Sequence, residues 1–486
     1  MSSGGSASKV KRLAPILIVT ALILAACTTD RLQRPRLRDD ATPLDRYVAA
    51  EDPAYSWVPI DDLEGEGYVA HVLRMTSGTW LTGADVDRTV WWHWLTIIEP
   101  ETVKSDIALL YIRGGVNGDE PPDKTRPILA KIALATGTVV AELKMVPNQP
   151  LQFTGDSSGP RKEDRLIAYG WDRFLRGGDP VWLSRLPMTR SAVRAMDTIT
   201  AFFQGEGENS PRAGVGPESP PRIGRFVVAG ASKRGWTTWT TAAVDERVVA
   251  IVPLVIDLLN LEASFRHHFA AYGFWAPAIE SYVEMGIPDW LGTPEMRRLT
   301  DIVDPYEYRT RLTMPKMIIN ATGDQFFVPD SAQLYYDELP GEKHLRYVPN
   351  ADHSLSETDA YETVLAFYRS IVTGAPRPRL SWTFEPGGSI RVRPEGSTLP
   401  AEVRLWQAAN PEARDFRLET IGKAWSGAVL TAQADGEYVG RVVRPASGWT
   451  AFFVELTYPD GGGVPFRLTT GVRIVPDTLP FSNGNR

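Results

Sequence analysis

Ser232, Asp324 and His353 have the residue types, order and local settings that acyl transfer through a serine requires. Ser232 lies in Gly230-Ala231-Ser232-Lys233-Arg234-Gly235, between the apolar run Phe226–Ala229 and a helix-compatible stretch from Trp236 to Ala243. A serine between small residues at a strand-to-helix turn is the sequence form of a nucleophile elbow, where bulky neighbours would collide. A hydroxyl is a weak nucleophile until a base takes its proton and a third group orients that base. Asp324 follows the apolar run Lys316–Ala321 in Thr322-Gly323-Asp324-Gln325, the place for the acid. His353, in Asn350-Ala351-Asp352-His353-Ser354, sits between the last strand-like run of this part and the helix-like segment after it, the place for the base.

Each residue also has a plainer reading. Ser232 could be an ordinary helix N-cap, and Asp330 or Asp257 could replace Asp324 as the acid. His353 competes with His71, His93, His267, His268 and His344. The developing oxyanion needs two backbone donors. The N–H of Lys233 opens the helix after Ser232, and Gly114 and Gly115 lie in the loop after the strand-like run Ile107–Ile112. The elbow departs from G-x-S-x-G, because Arg234 holds the usual glycine position and glycine follows at Gly235. Lys233 and Arg234 either extend to solvent, or one of them faces the pocket and stabilises the oxyanion or binds a substrate carboxylate, with Arg234 the candidate for substrate binding. No His-x-x-x-His, Cys-x-x-Cys, Walker or dinucleotide pattern occurs, so neither metal nor cofactor is expected.

The elements around these residues read as an α/β fold. From about 67 to 373, apolar runs such as Ile107–Ile112, Ala250–Ile256 and His344–Val348 alternate with helical segments such as Ser191–Gln204 and Ser356–Thr373. Continuous apolar strands between helices indicate a doubly wound, mostly parallel sheet covered on both faces. The triad order then makes it an α/β-hydrolase sheet. Tyr68–Arg74 and Val90–Ile98 alternate more and suit an antiparallel edge. Segment 257–310 is long and aromatic and reads as a cap. After Gly374-Ala375-Pro376 the pattern changes to period-two alternation, as in Phe452, Val454, Leu456 and Tyr458. Residues 377–486 are therefore expected to form an all-β sandwich of immunoglobulin or fibronectin type.

The N-terminus carries Lys9, Lys11 and Arg12, then an apolar run from Leu13 to Ala26 that is too short to span a bilayer. Leu24-Ala25-Ala26-Cys27 matches a lipoprotein cleavage site, which makes 1–26 a signal peptide and Cys27 the site of lipidation. Residues 27–50 read as a tether, 51–376 as the hydrolase domain, and 205–222 as a flexible excursion. The formal charge of −7 becomes −10 once residues 1–26, with three cations and no anions, are removed. Such a balance argues against nucleic acid as a partner and leaves membrane contact to the lipid anchor.

The elbow, Val146-Pro147-Asn148-Gln149-Pro150-Leu151 and Asn320-Ala321-Thr322-Gly323-Asp324-Gln325-Phe326 together resemble the PhoPQ-activated pathogenicity-related proteins, over about residues 40 to 475. The resemblance implies an α/β-hydrolase fold, export, and bacterial regulation tied to envelope stress and virulence. It names no substrate, and secreted eukaryotic relatives similar to a proliferation repressor keep a non-enzymatic role open. A more distant similarity is to glucuronoyl esterases, which also place a basic residue after the serine and a delayed glycine, the positions of Lys233 and Gly235. The expected function is hydrolysis of a small-molecule or cell-envelope ester at the outer membrane of a Gram-negative bacterium. The alternatives are a non-catalytic binding or signalling protein and a serine peptidase.

Overall fold

The computed structural model describes residues 38–205, 222–459 and 463–482, together with Met1, Ser2 and Gly4. Nearly all of the expected signal segment, Cys27 and nearly all of the expected excursion lie outside the described residues. From Leu37 onward the chain forms one compact unit. Residues expected to close the tether instead form helix α1 (Pro43–Ala49), where Thr42 and Asp45 make a reciprocal capping box and Leu44 and Val48 are buried.

A nine-stranded sheet organises the larger part. It contains β1 (Ser56–Gly65), β2 (Tyr68–Thr79), β3 (Val90–Pro100), β4 (Ile107–Ile112), β5 (Val140–Leu143), β6 (Arg225–Ala231), β7 (Val248–Leu254), β8 (Lys316–Ala321) and β9 (Lys343–Val348), in the order β1-β2-β3-β5-β4-β6-β7-β8-β9. Strands β1, β2 and β3 are antiparallel, and β3 joins β5 antiparallel. From β5 to β9 every pairing is parallel. This is the doubly wound sheet of an α/β-hydrolase. Strand β1 escaped the sequence reading because Pro59, Asp61 and Asp62 interrupt its apolar pattern, and the structure bulges there.

Helices α2 (Pro127–Thr136), α3 (Glu163–Leu175), α4 (Arg185–Gln204), α5 (Lys233–Val244), α6 (Leu261–Tyr272), α7 (Glu280–Glu284), α8 (Pro294–Val303) and α9 (Ala360–Thr373) pack around the sheet. Buried side chains form one large cluster on each face. Leu110, Val228, Trp239 and Ile318 belong to one, and Leu109, Val227, Ile319 and Phe367 to the other. Adjacent residues of one strand fall in opposite clusters, so both faces of each parallel strand must be apolar. Each fully buried Val, Leu or Ile contributes about 1.5–3 kcal/mol. Among the described residues, no helix is long and apolar enough to cross a membrane.

Beyond Gly374 lie two antiparallel sheets. One holds β10 (Arg379–Glu385), β11 (Ser389–Glu395) and β14 (Tyr438–Arg441). The other holds β12 (Glu402–Asn410), β13 (Ser426–Val429), β15 (Trp449–Tyr458), β16 (Phe466–Thr469) and β17 (Arg473–Val475). The sheets face each other closely. A methyl added to Gly440 of β14 would meet Val454 at 2.8 Å and Leu405 at 3.0 Å, both from the second sheet. Between β12 and β13 the chain forms a long connection containing the short helix α10 (Leu418–Ile421). That connection reaches the loops that carry Asp324 and His353.

Candidate active site

Ser232 closes β6 and opens α5, and its backbone sits at φ 58° and ψ −127°. A side-chain-bearing residue there costs about 1–3 kcal/mol and persists only where its surroundings fix it. Here the Ser232 N–H donates to Leu254 O on β7 at 2.8 Å, and Ser232 O accepts the Trp236 N–H at 3.0 Å. The small neighbours are needed for room. A methyl on Gly230 would come within 2.7 Å of Arg234 O, and one on Gly235 within 2.8 Å of Ile256. The delayed glycine is therefore the point where the first turn of α5 meets the end of β7.

Arg234 does not extend to solvent, nor is it free for a substrate. Its Nη1 and Nη2 donate to the two oxygens of Glu163 at 2.9 and 2.8 Å, and its Nε donates to Val146 O. The guanidinium lies against Gly114, where a methyl would strike Nη2 at 2.4 Å. Gly114 thus makes room for an arginine, and Arg234 as a substrate-binding residue is corrected to a partner of Glu163. Lys233 also turns inward, with its ammonium 3.0 Å from Glu163 and 3.1 Å from Asp164. The cation pair seeks an acid pair at the start of α3, which sequence spacing did not reveal. Only the Val146–Leu151 stretch hinted at it: Gln149 Oε1 accepts the Glu163 N–H at 2.7 Å.

Asp324 and His353 come together. His353 Nδ1 is 2.8 Å from Asp324 Oδ2, and Asp324 Oδ1 accepts the Phe326 N–H at 2.8 Å. The His353 N–H donates to Gln325 Oε1 at 3.0 Å, tying the two loops together. The rival acids are engaged elsewhere. Asp330 pairs with His267 Nε2 at 2.9 Å and Arg414 at 2.6 Å. Asp257 accepts hydroxyl protons from Tyr335 at 2.6 Å and Tyr347 at 2.5 Å, and burial pushes its pKa up to about 7. His353 Nε2 is buried and has no hydrogen-bond partner among the described residues, Ser232 included.

Ser232 lines a cavity of about 50 Å³ with Lys233, Trp236, Asp257, His268, Phe326 and Phe327 among its walls. That space holds about three to five waters. Phe326 and Phe327 connect it to His353, with ring centroids 4.3 and 5.9 Å from the imidazole. The 257–310 segment contributes Leu258, Ser264, Phe265, His268, Ile279 and Tyr282, so the expected cap supplies one wall. Gly114 and Gly115 do not line this cavity; Gly114 borders Arg234, and Gly115 borders Asp119 and Met145. Arg185 on α4 does line it, and its Nη1 donates to Lys233 O at 2.8 Å behind the elbow. Burial lowers its pKa to about 10. Among the described residues, no group of three or more His, Cys, Asp or Glu is placed to hold a metal ion.

The β12–β13 connection supports the loops of Asp324 and His353 from outside. The Leu418 N–H donates to Gly323 O at 2.9 Å, beside Asp324. Asn350 Nδ2 donates to Trp425 O at 2.8 Å, and its Oδ1 accepts the Trp425 N–H at 2.9 Å. Sequence reading had no signal for these contacts, because 75 residues separate Asn350 from Trp425.

Residues 44–417 match the model of the family described as PhoPQ-activated pathogenicity-related protein. Autocrine proliferation repressor protein A of Dictyostelium discoideum is 37% identical over 470 residues, covering 91% of this chain and 92% of that protein. Among solved structures, the acetyl xylan esterase from Paenibacillus sp. R4 is 14% identical with a TM-score of 0.47, over 68% of this chain and 92% of that one. Acetyl xylan esterase 1 from Thermoanaerobacterium sp. JW/SL YS485 is 16% identical with a TM-score of 0.43, over 64% and 86%.

Proposed function

The chain belongs to the PhoPQ-activated pathogenicity-related protein family, and from that premise we propose that it is a serine hydrolase acting on carboxylic esters. One observation carries the reading. A serine in a strained strand-to-helix turn shares the wall residues Phe326 and Phe327 with a histidine whose Nδ1 is held by a buried aspartate. In the proposed mechanism Ser232 Oγ attacks the ester carbonyl while His353 Nε2 takes its proton. The imidazolium is stabilised by Asp324 and then protonates the departing alcohol. The free N–H of Lys233 at the start of α5 donates to the oxyanion, helped by the helix dipole. The loop at Gly114–Gly115, which lies outside the cavity walls, would have to turn a backbone N–H toward Ser232 to supply the second donor. Water then hydrolyses the acyl-enzyme by the same proton relay in reverse.

The small cavity of about 50 Å³ beside Ser232 favours a short acyl group. Aryl acetate and propionate should be cleaved, aryl octanoate much more slowly, and aminoacyl amides not at all. Preference for the amides would replace the esterase with a peptidase. A binding or signalling protein on the same scaffold is the second reading, favoured by the absence of a hydrogen bond from His353 Nε2 to Ser232. We also propose that the chain works in the cell envelope through lipidation at Cys27. Release of a Cys27→Ala variant from the membrane fraction supports this, and unchanged membrane association contradicts it.

A further inference from the structure

A second cleft, of about 430 Å³, lies behind the loop that carries His353. This volume is within the range of small-ligand sites. The end of β9 and residues 348–359 form one side. Trp406 of β12, Glu455 of β15, and Leu418 and Lys423 of the β12–β13 connection form the other. Unlike the apolar cavity at Ser232, this cleft is lined mainly by groups that make hydrogen bonds.

Two of those groups are buried and point to a ligand. Arg346 is 1% exposed. Its terminal nitrogens bind the carboxylate and carbonyl of Asp359 and the hydroxyl of Thr363. Its Nε is buried with no acceptor among the described residues. A buried donor left unpaired costs about 1–3 kcal/mol, so an acceptor delivered by a ligand recovers that free energy. Among the described residues, Glu455, 7% exposed, accepts only a long bond of 3.3 Å from Trp406 Nε1 and retains capacity for a stronger donor.

The charge and shape of the lining narrow the ligand class. Among the lining residues, the carboxylates Asp352, Glu357, Asp359 and Glu455 outnumber the cations Arg346 and Lys423. Asp359 also pairs with Arg467 at 2.9 Å, and the remaining negative balance disfavours an anion. A ligand that both accepts from a guanidinium and donates to carboxylates must carry hydroxyls. An indole in the wall favours a ligand that also has an apolar face. We propose that this cleft binds a neutral saccharide unit. The proposal does not depend on the chemistry at Ser232.

The test is titration of the protein with xylobiose, cellobiose and maltose, followed by saturation-transfer NMR and calorimetry, with glucuronate and glucosamine as charged probes. At least one neutral disaccharide should bind with a Kd of about 10 mM or tighter. Trp406→Ala and the isosteric Glu455→Gln should each weaken binding about tenfold, whereas Ser232→Ala should leave it unchanged. The proposal fails if no neutral disaccharide binds at that level or only a charged probe does. It also fails if binding survives both cleft substitutions in protein of unchanged thermal stability.

Discussion

Glu163 holds Arg234 by both ends of its guanidinium, at 2.9 and 2.8 Å, and thereby fixes the residue two positions beyond Ser232. The paired arginine fills the space over Gly114 and braces the first turn of α5 against the Val146–Leu151 segment. Replacing Glu163 leaves two inward-turned cations short of a counter-charge. Glu163→Gln should lower unfolding free energy by about 2 kcal/mol in urea titrations, below the range for fully buried pairs because Glu163 is partly exposed. Arg234 and Lys233 hold the Glu163 carboxyl far below its usual range, although burial opposes them. Its stabilisation is therefore complete above the unfolded value near 4.5 and is lost as pH falls. The gap between wild type and Glu163→Gln should narrow in acid and be widest near neutrality.

Asp324, and neither Asp257 nor Asp330, should set the tautomer of His353. Asp324→Asn should reduce kcat on an aryl acetate by about 10³–10⁴-fold with the fold retained, as loss of the orienting carboxylate does in serine triads. A loss smaller than tenfold would remove Asp324 from the mechanism.

Asp257 gives a second pH test, with the opposite sign. Burial raises its pKa to about 7, so the folded state binds a proton that the unfolded chain has released near 3.8. Its contribution is present below that unfolded value and is lost as pH rises toward 7. Asp257→Asn should flatten the decline in thermal midpoint between pH 4 and 8 and be the more stable form at pH 8. A decline as steep as that of wild type would show that Asp257 is not its source.

The parts of the molecule governed by short-range pattern were legible in the sequence. The strand-to-helix turn at Ser232, the places of Asp324 after β8 and His353 after β9, the antiparallel edge and the change to period-two alternation after Gly374 all follow from local spacing. The contacts of Lys233 and Arg234 were not legible. Glu163 and Asp164 lie about 70 residues earlier, and a salt bridge leaves no periodicity. The pairing of Asn350 with Trp425 was hidden for the same reason, since a side chain bonding to a distant backbone constrains only Asn350. Strand β1 was obscured because its acidic residues face solvent on an edge and lack an apolar run.

Asn350 should act as a positioning residue for the base. Asn350→Ala removes both bonds to Trp425 and should cost about 1–3 kcal/mol. If the β12–β13 connection holds His353 in place, kcat should also fall several-fold with KM nearly unchanged. A stability loss with kcat intact would make the contact purely structural.

The central claim is that Ser232 is a nucleophile, and covalent labelling tests it most directly. Wild-type protein incubated with a fluorophosphonate should gain one adduct, mapped by mass spectrometry to the peptide containing Ser232. The adduct should be absent from Ser232→Ala and strongly slowed in His353→Ala. Folded wild-type protein that gains no adduct, or gains it equally in Ser232→Ala, would contradict the account.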